Sequence, residues 1–258
     1  MTPSFRRSVP AIAAILLQCA LPAAAAPLMQ SDMEFDWSTF AVTTSSSTGP
    51  APTLTWVSRS STIDGFATGA ESTADWTSPL STHIGDASSF ADSSLDAGML
   101  RASAQDSDLA ANSSGSIWTL RQGMFSVVGS GNVEMSVNYT WHALGQPAPG
   151  SVVDQSFSYA YASLEAWSTG DPRFGGQRGG QQTFFPQVLS PPDVGSFGGS
   201  GKLVLDFTVL DGDQFAFTGA VSATDNLVSS PVPLPPSRWL FSCGLGVILA
   251  LRWRRQPT

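Results

Sequence analysis

From Val133 to His142 apolar and polar residues alternate without a break. Val133, Met135, Val137, Tyr139 and Trp141 fall on one side, and Glu134, Ser136, Asn138, Thr140 and His142 on the other. Successive side chains of a strand point to opposite faces, so this run reads as a strand with one face buried and one face wet. A helix would scatter the same apolar residues around its circumference. The pattern recurs. Leu203, Leu205, Phe207 and Val209 alternate, and Phe215, Phe217 and Val221 resume after Asp211-Gly212-Asp213. Met124 to Val128 is a strand candidate before Val133, joined to it by Gly129-Ser130-Gly131-Asn132. Each of these pairs reads as a hairpin across a glycine turn. Thr53 to Arg59, Ile117 to Arg121, and the stretch carrying Phe157, Tyr159 and Tyr161 add further strands. Ala97 to Ala104 adds one built of small residues.

No helix of ordinary length shows a 3.6-residue period between Asp32 and Asp225. Several short strands with glycine turns predict an all-β fold, an antiparallel β-sandwich or jelly roll. Asp171 to Gly201 is rich in Gly, Gln and Pro and reads as long excursions around Phe184-Phe185. Ser45 to Pro52 reads as a shorter loop, and no internal repeat is present.

Charged residues make up only 12% of the chain, about half the usual share. All 20 acidic residues lie between Asp32 and Asp225. The basic residues in that span are Arg59, Arg101, Arg121, Arg173, Arg178 and Lys202. A body this acidic repels phosphate backbones, so no nucleic-acid partner is expected. The remaining basic residues, Arg6, Arg7, Arg238, Arg252, Arg254 and Arg255, sit in the two end segments. Cys19 and Cys243 lie there too, each inside an apolar stretch. A domain freed of both ends has no cysteine, and therefore neither a disulfide framework nor thiol chemistry.

The N-terminal end carries a basic pair, Arg6-Arg7, then an apolar run from Ala11 to Leu21 that Pro22 interrupts before a run of alanines. This is the layout of a secretory signal peptide, and its apolar run is shorter than a spanning helix. Ala23 and Ala25 supply the small pair for cleavage, giving a signal peptide over residues 1–25. An uncleaved anchor is the alternative. Gln18 before Cys19 argues against a lipoprotein site. The C-terminal end has three parts: a stiff Val232-Pro233-Leu234-Pro235-Pro236, an apolar helix candidate over 239–251, and a basic stop at Arg252, Arg254 and Arg255. Trp239 and Trp253 suit the two membrane interfaces, and the arginines can snorkel. The positive-inside rule places both basic ends in the cytoplasm and everything between them outside.

This three-part tail resembles the PEP-CTERM sorting signal, in its Val-Pro-Leu-Pro variant. Leu234 stands where the common motif has glutamate. The resemblance covers Pro231 to Arg255 and implies processing by an exosortase-like membrane protease after signal peptidase has acted. It also implies a host that makes extracellular polysaccharide, a possible partner. The expected layout is a signal peptide over 1–25, an exported domain over 26–229 and a sorting signal over 230–258. The expected route is an inner-membrane-anchored precursor with its domain in the periplasm, then the cell surface or medium.

Candidate chemistry inside the domain is sparse. His83 and His142 have no metal-ligand partner at helical or loop spacing, and His142 continues the polar side of its strand. A G-x-S-x-G elbow is absent. Gly198 to Lys202 reads GGSGK but lacks the earlier glycine and the Ser/Thr of a phosphate loop, so it reads as a loop leading into a strand. Asp211 and Asp213 flank a turn glycine, where structure is the default and calcium the alternative. For Asp106 and Asp108, which flank Ser107, structure is again the default and calcium the alternative. No catalytic, cofactor-binding or metal residue is assigned. Trp141 is expected in the core, with Trp76 or Trp167 exposed. The expected function is therefore a non-enzymatic cell-surface or matrix protein. The alternatives are a carbohydrate- or calcium-binding module of that matrix, and a secreted hydrolase with an unrecognised carboxylate pair. Exposed aromatics clustered on one sheet face would favour the binding module.

Overall fold

The computed structural model describes residues 28–65, 69–85, 89–107, 114–146, 157–169, 178–186 and 195–226. Among them the chain forms twelve strands and no helix: β1 (Leu28–Ser45), β2 (Thr53–Gly65), β3 (Gly69–Thr73), β4 (Leu80–Gly85), β5 (Ser89–Asp96), β6 (Met99–Asp106), β7 (Ser114–Val128), β8 (Gly131–Gln146), β9 (Phe157–Ser168), β10 (Gly179–Phe184), β11 (Gly195–Val209) and β12 (Gln214–Asn226). They make two six-stranded sheets. The first runs β11-β8-β1-β6-β5-β4 and the second β10-β9-β12-β7-β2-β3. Neighbouring strands in both are antiparallel. The apolar faces meet in one buried cluster, with Met33, Phe35, Leu100 and Met135 from the first sheet and Ile117, Phe125, Phe215 and Phe217 from the second. The all-β, sandwich-like arrangement agrees with the alternation. Burying each large side chain contributes about 1.5–3 kcal/mol of transfer free energy.

The two expected hairpins do not form. β7 and β8 lie in different sheets, and so do β11 and β12. Val128 pairs with Thr53, and Gly131 pairs with Val209. Both turns are arches that carry the chain from one sheet to the other. A hairpin sets both apolar rows on one face, whereas an arch points them at each other across the core. The alternation is identical in the two cases. The arches also brace each other. Gly129 N–H donates to Asp211 Oδ1 at 2.7 Å, and Asp211 N–H donates to Ser130 Oγ at 3.0 Å. Gly212 N–H reaches Val127 O at 3.0 Å. Gly129 adopts φ 87°, a conformation that glycine tolerates best.

Three further segments differ from expectation. Ile117 to Arg121 and Met124 to Val128 belong to the single strand β7. Strand β1 is central in its sheet, between β8 and β6, yet its alternation is masked because Ser31 interrupts the apolar row of Met29, Met33, Phe35 and Trp37. Gly198 to Lys202 is not a loop but part of β11, paired with β8 from Asn138 to His142. A Cβ at position 201 would come within 2.5 Å of Tyr139 Oη, so glycine here makes room for the aromatic ring of the partner strand. Within the expected excursion, β10 and the start of β11 are strands; residues 170–177 and 187–194 lie outside the described residues. So do the sorting residues Ala23, Ala25, Val232, Pro233, Leu234, Pro235, Pro236, Arg252, Arg254 and Arg255, and Asp108.

Candidate functional site

The two outer faces present different chemistry. On the first sheet, register aligns His83, Asp92, Ser103, Asp32, His142 and Gly198 in one row across six strands. Both histidines of the chain therefore share a face that the sequence spacing did not connect. His83 Nδ1 lies 2.5 Å from Asp92 Oδ1. Arg101 Nη2 donates to Asp32 Oδ1 at 3.1 Å, and Gln30 Nε2 donates to Asp32 Oδ2 at 2.8 Å. His142 Nε2 lies 2.8 Å from Ser196 Oγ, while its Nδ1 is 3.8 Å from Asp32 Oδ2. The order Ser-His-Asp invites a nucleophile reading. The second distance exceeds a hydrogen bond, and the His142 side chain is 44% exposed on an open face. Ser196 holds the imidazole at Nε2 alone, and among the described residues the pair lies on an open, solvated polar face. A cleft of about 490 Å³ beside it is lined by Ser81, His83, Asp92, Ser94, Arg101 and Ser103.

The second sheet carries aromatics outward at one end. Phe157, Tyr159 and Tyr161 alternate along β9 with the inward-facing Ser158, Ala160 and Ala162. Trp118 of β7 and Phe185, just past β10, complete the group. Ring centroids are 5.6 Å apart for Trp118 and Tyr161, 5.3 Å for Tyr159 and Phe185, and 5.9 Å for Phe157 and Tyr159. Trp118 and Tyr161 flank Ser222 of β12, so their strands are about 9.6 Å apart at strand spacings of about 4.8 Å. Their rings therefore lean over β12 and roof Ser222, which is buried although it faces outward. Its Oγ has no hydrogen-bond partner. Trp118 remains 37% exposed and Phe185 52%. From Phe157 to Tyr161 the ridge spans about 13 Å at about 3.3 Å per residue.

No family model, curated protein or solved structure matches this chain. The roles of its faces rest on their own chemistry.

The tryptophan expectations divide. Trp76 is buried, against expectation: its indole N–H donates to Gln122 O at 2.8 Å and Ser60 O at 3.1 Å. Trp167 is half-buried, and Trp141 is partly buried against the core as expected. Among the described residues the exposed indole is Trp118, which sequence reasoning missed. Its signal was its place among the polar-side positions of β7, legible only once the register of that strand is known. The turn acids are structural. Asp211 accepts Gly129 N–H, and Asp213 pairs with Arg178 while accepting Leu210 N–H at 2.8 Å.

The burial of three ionisable side chains also escaped the sequence. Arg121 lies in the core with its guanidinium 4.8 Å from the Trp37 ring centroid and donates to Asp96 O. Burial pulls it down to about 10, so it stays protonated near neutrality. Asp225 is fully buried between Ser31 and Ser158, whose hydroxyls both donate to Oδ1. Burial pushes its carboxyl up to about 8, opposed by those hydrogen bonds and assisted by the charge of Asp106. Asp106, the last residue of β6, is itself fully buried.

Proposed function

We propose that this is an exported, non-enzymatic surface protein whose sandwich binds extracellular polysaccharide through the aromatic ridge of its second sheet. The observation that carries the reading is the outward cluster of Trp118, Tyr159, Tyr161 and Phe185, in mutual ring contact with two members substantially exposed. Aromatic faces take the C–H faces of sugar rings because they offer apolar area with little side-chain entropy to lose. The acidic body disfavours anionic polymers, so a neutral glycan is the expected ligand.

Electrophoresis of the full-length protein, in mild detergent, through gels containing a neutral β-glucan tests the binding. Retardation that Trp118→Ala removes supports the reading; equal mobility with and without glucan refutes it. Delivery is a separate matter, proposed from the two end segments: a signal peptide over 1–25 and a tail over 230–258 handed to an exosortase-like protease. Intact mass of the protein from host membranes and medium tests it. A species lacking both ends supports sorting and release. A membrane-bound species still ending at Thr258 refutes them.

A further inference from the structure

Asp106 and Asp225 end strands of opposite, packed sheets, β6 and β12, at the end of the sandwich where β9 begins, close enough for the charge of Asp106 to act on Asp225. Both are fully buried. Around Asp225 stand Ser31 of β1, with Oγ 3.0 Å from Asp225 Oδ1 and 3.4 Å from Thr224 O, and Ser158 of β9. All of these donors and acceptors are hard oxygens. One atom has no partner: Asp225 Oδ2, buried and without a hydrogen bond. A buried carboxylate oxygen left unsatisfied is costly, and native proteins rarely keep one without a proton or a cation. Among the described residues no third acidic or imidazole group joins the two carboxylates. A soft-metal site is therefore ruled out by ligand type within this set, since neither thiolate nor imidazole stands near Asp225.

We propose that Asp106 and Asp225, with hydroxyl oxygens from Ser31 and Ser158, form a calcium site that ties the two sheets together. Calcium accepts mixed carboxylate, hydroxyl and carbonyl oxygens in irregular geometry, whereas magnesium demands a near-ideal octahedron. A cation between the sheets performs the tie that a disulfide gives other exported domains, and the body of this chain has no cysteine with which to form one. The site is independent of the aromatic ridge and of the glycan reading.

The test uses the full-length protein in mild detergent, stripped with a chelator and dialysed at pH 7.5. Thermal unfolding is followed with 5 mM calcium chloride, with magnesium chloride, and without either. Calcium is expected to raise Tm by about 3 °C or more, and magnesium by less. Asp225→Asn and Asp106→Asn each abolish the response, and Ser158→Ala shifts the calcium midpoint about tenfold upward. Calorimetric titration of the unaltered protein gives one site, which keeps the result decisive should the aspartate variants fail to fold. No calcium heat and no Tm rise overturn the proposal, as does an equal response in folded Asp225→Asn. A third outcome also overturns it: no calcium effect, with Tm instead falling as pH rises from 4 to 8 and Asp225→Asn insensitive to pH. The node then holds a proton, because a carboxyl with a raised folded pKa stabilises in acid and loses that contribution as it ionises.

Discussion

Inside the sandwich, Trp56 and Trp76 meet edge to face at 4.7 Å, and Trp37 and Phe217 close around them. The Trp76 indole N–H is satisfied by two carbonyls, and Arg59 lies 5.0 Å from the centroid of its ring. On the outer face of the second sheet, Trp118, Tyr159, Tyr161 and Phe185 also touch ring to ring, but they keep part of their surface in water. Both groups are aromatic clusters in ring-to-ring contact, and they differ in what they cover. The inner rings fill the space between sheets. The outer rings cover only small side chains of β12, with Ser222 beneath them. An aromatic that fills space is needed for stability, whereas one that lies on a finished sheet is available to a ligand.

The largest expected effect separates the two groups outright. Trp76→Ala should cost about 3–5 kcal/mol in urea unfolding, the usual range for emptying a buried indole site. Trp118→Ala should cost less than about 1 kcal/mol. Equal costs would make the ridge a structural element and erase the contrast.

Next in size is binding. Trp118→Ala and Phe185→Ala should each weaken retention on neutral glucan about tenfold with Tm nearly unchanged, as the loss of one aromatic contact worth about 1.4 kcal/mol requires. Trp76 substitutions that still fold should leave retention intact. Lost retention in a folded Trp76 variant would show that the two groups are coupled.

A pH effect should belong to the inner group alone. Asp75 precedes Trp76 and accepts from Ser78 N–H at 2.5 Å and Thr77 N–H at 2.7 Å. The Ser78 N–H foremost, then the Ser78 hydroxyl and Thr77 N–H, hold its carboxylate at about 2, below its ordinary value. A depressed folded pKa stabilises above the ordinary carboxylate range and loses that contribution as pH falls toward 2. Near-UV circular dichroism from the packed tryptophans should therefore decline between pH 4 and pH 2, and Asp75→Asn should flatten that decline. An unchanged decline in Asp75→Asn would clear Asp75 of any part in seating Trp76.

The smallest effect concerns the opposite sheet. His142→Ala, on the solvated face, should shift stability by no more than about 0.5 kcal/mol and leave glucan retention as it was. A loss of retention would move the binding surface from the aromatic ridge to the polar row.

Fold class was legible because burial on one side imposes a period of two, and Val133 to Trp141 keeps that period without interruption. The acidity of the body, its missing cysteines and the opposed basic ends are equally properties of composition and order, open to reading without coordinates. Partner choice between strands was not legible. Val128 and Gly131 alternate identically whether their strands pair or part, and only the packing of Phe125 and Val127 against the other sheet makes the turn an arch. Trp76 and Trp118 show the same limit. Nothing local distinguishes them, since one indole lies within the core and the other leans over β12 through contacts far away in sequence. Asp106 and Asp225 read as two acids among twenty until the sheets close over them. The alternation of side chains is a local property, carried by the backbone of each strand. Burial, register and the meeting of distant charges arise only when two sheets face each other, and the tertiary structure decided those.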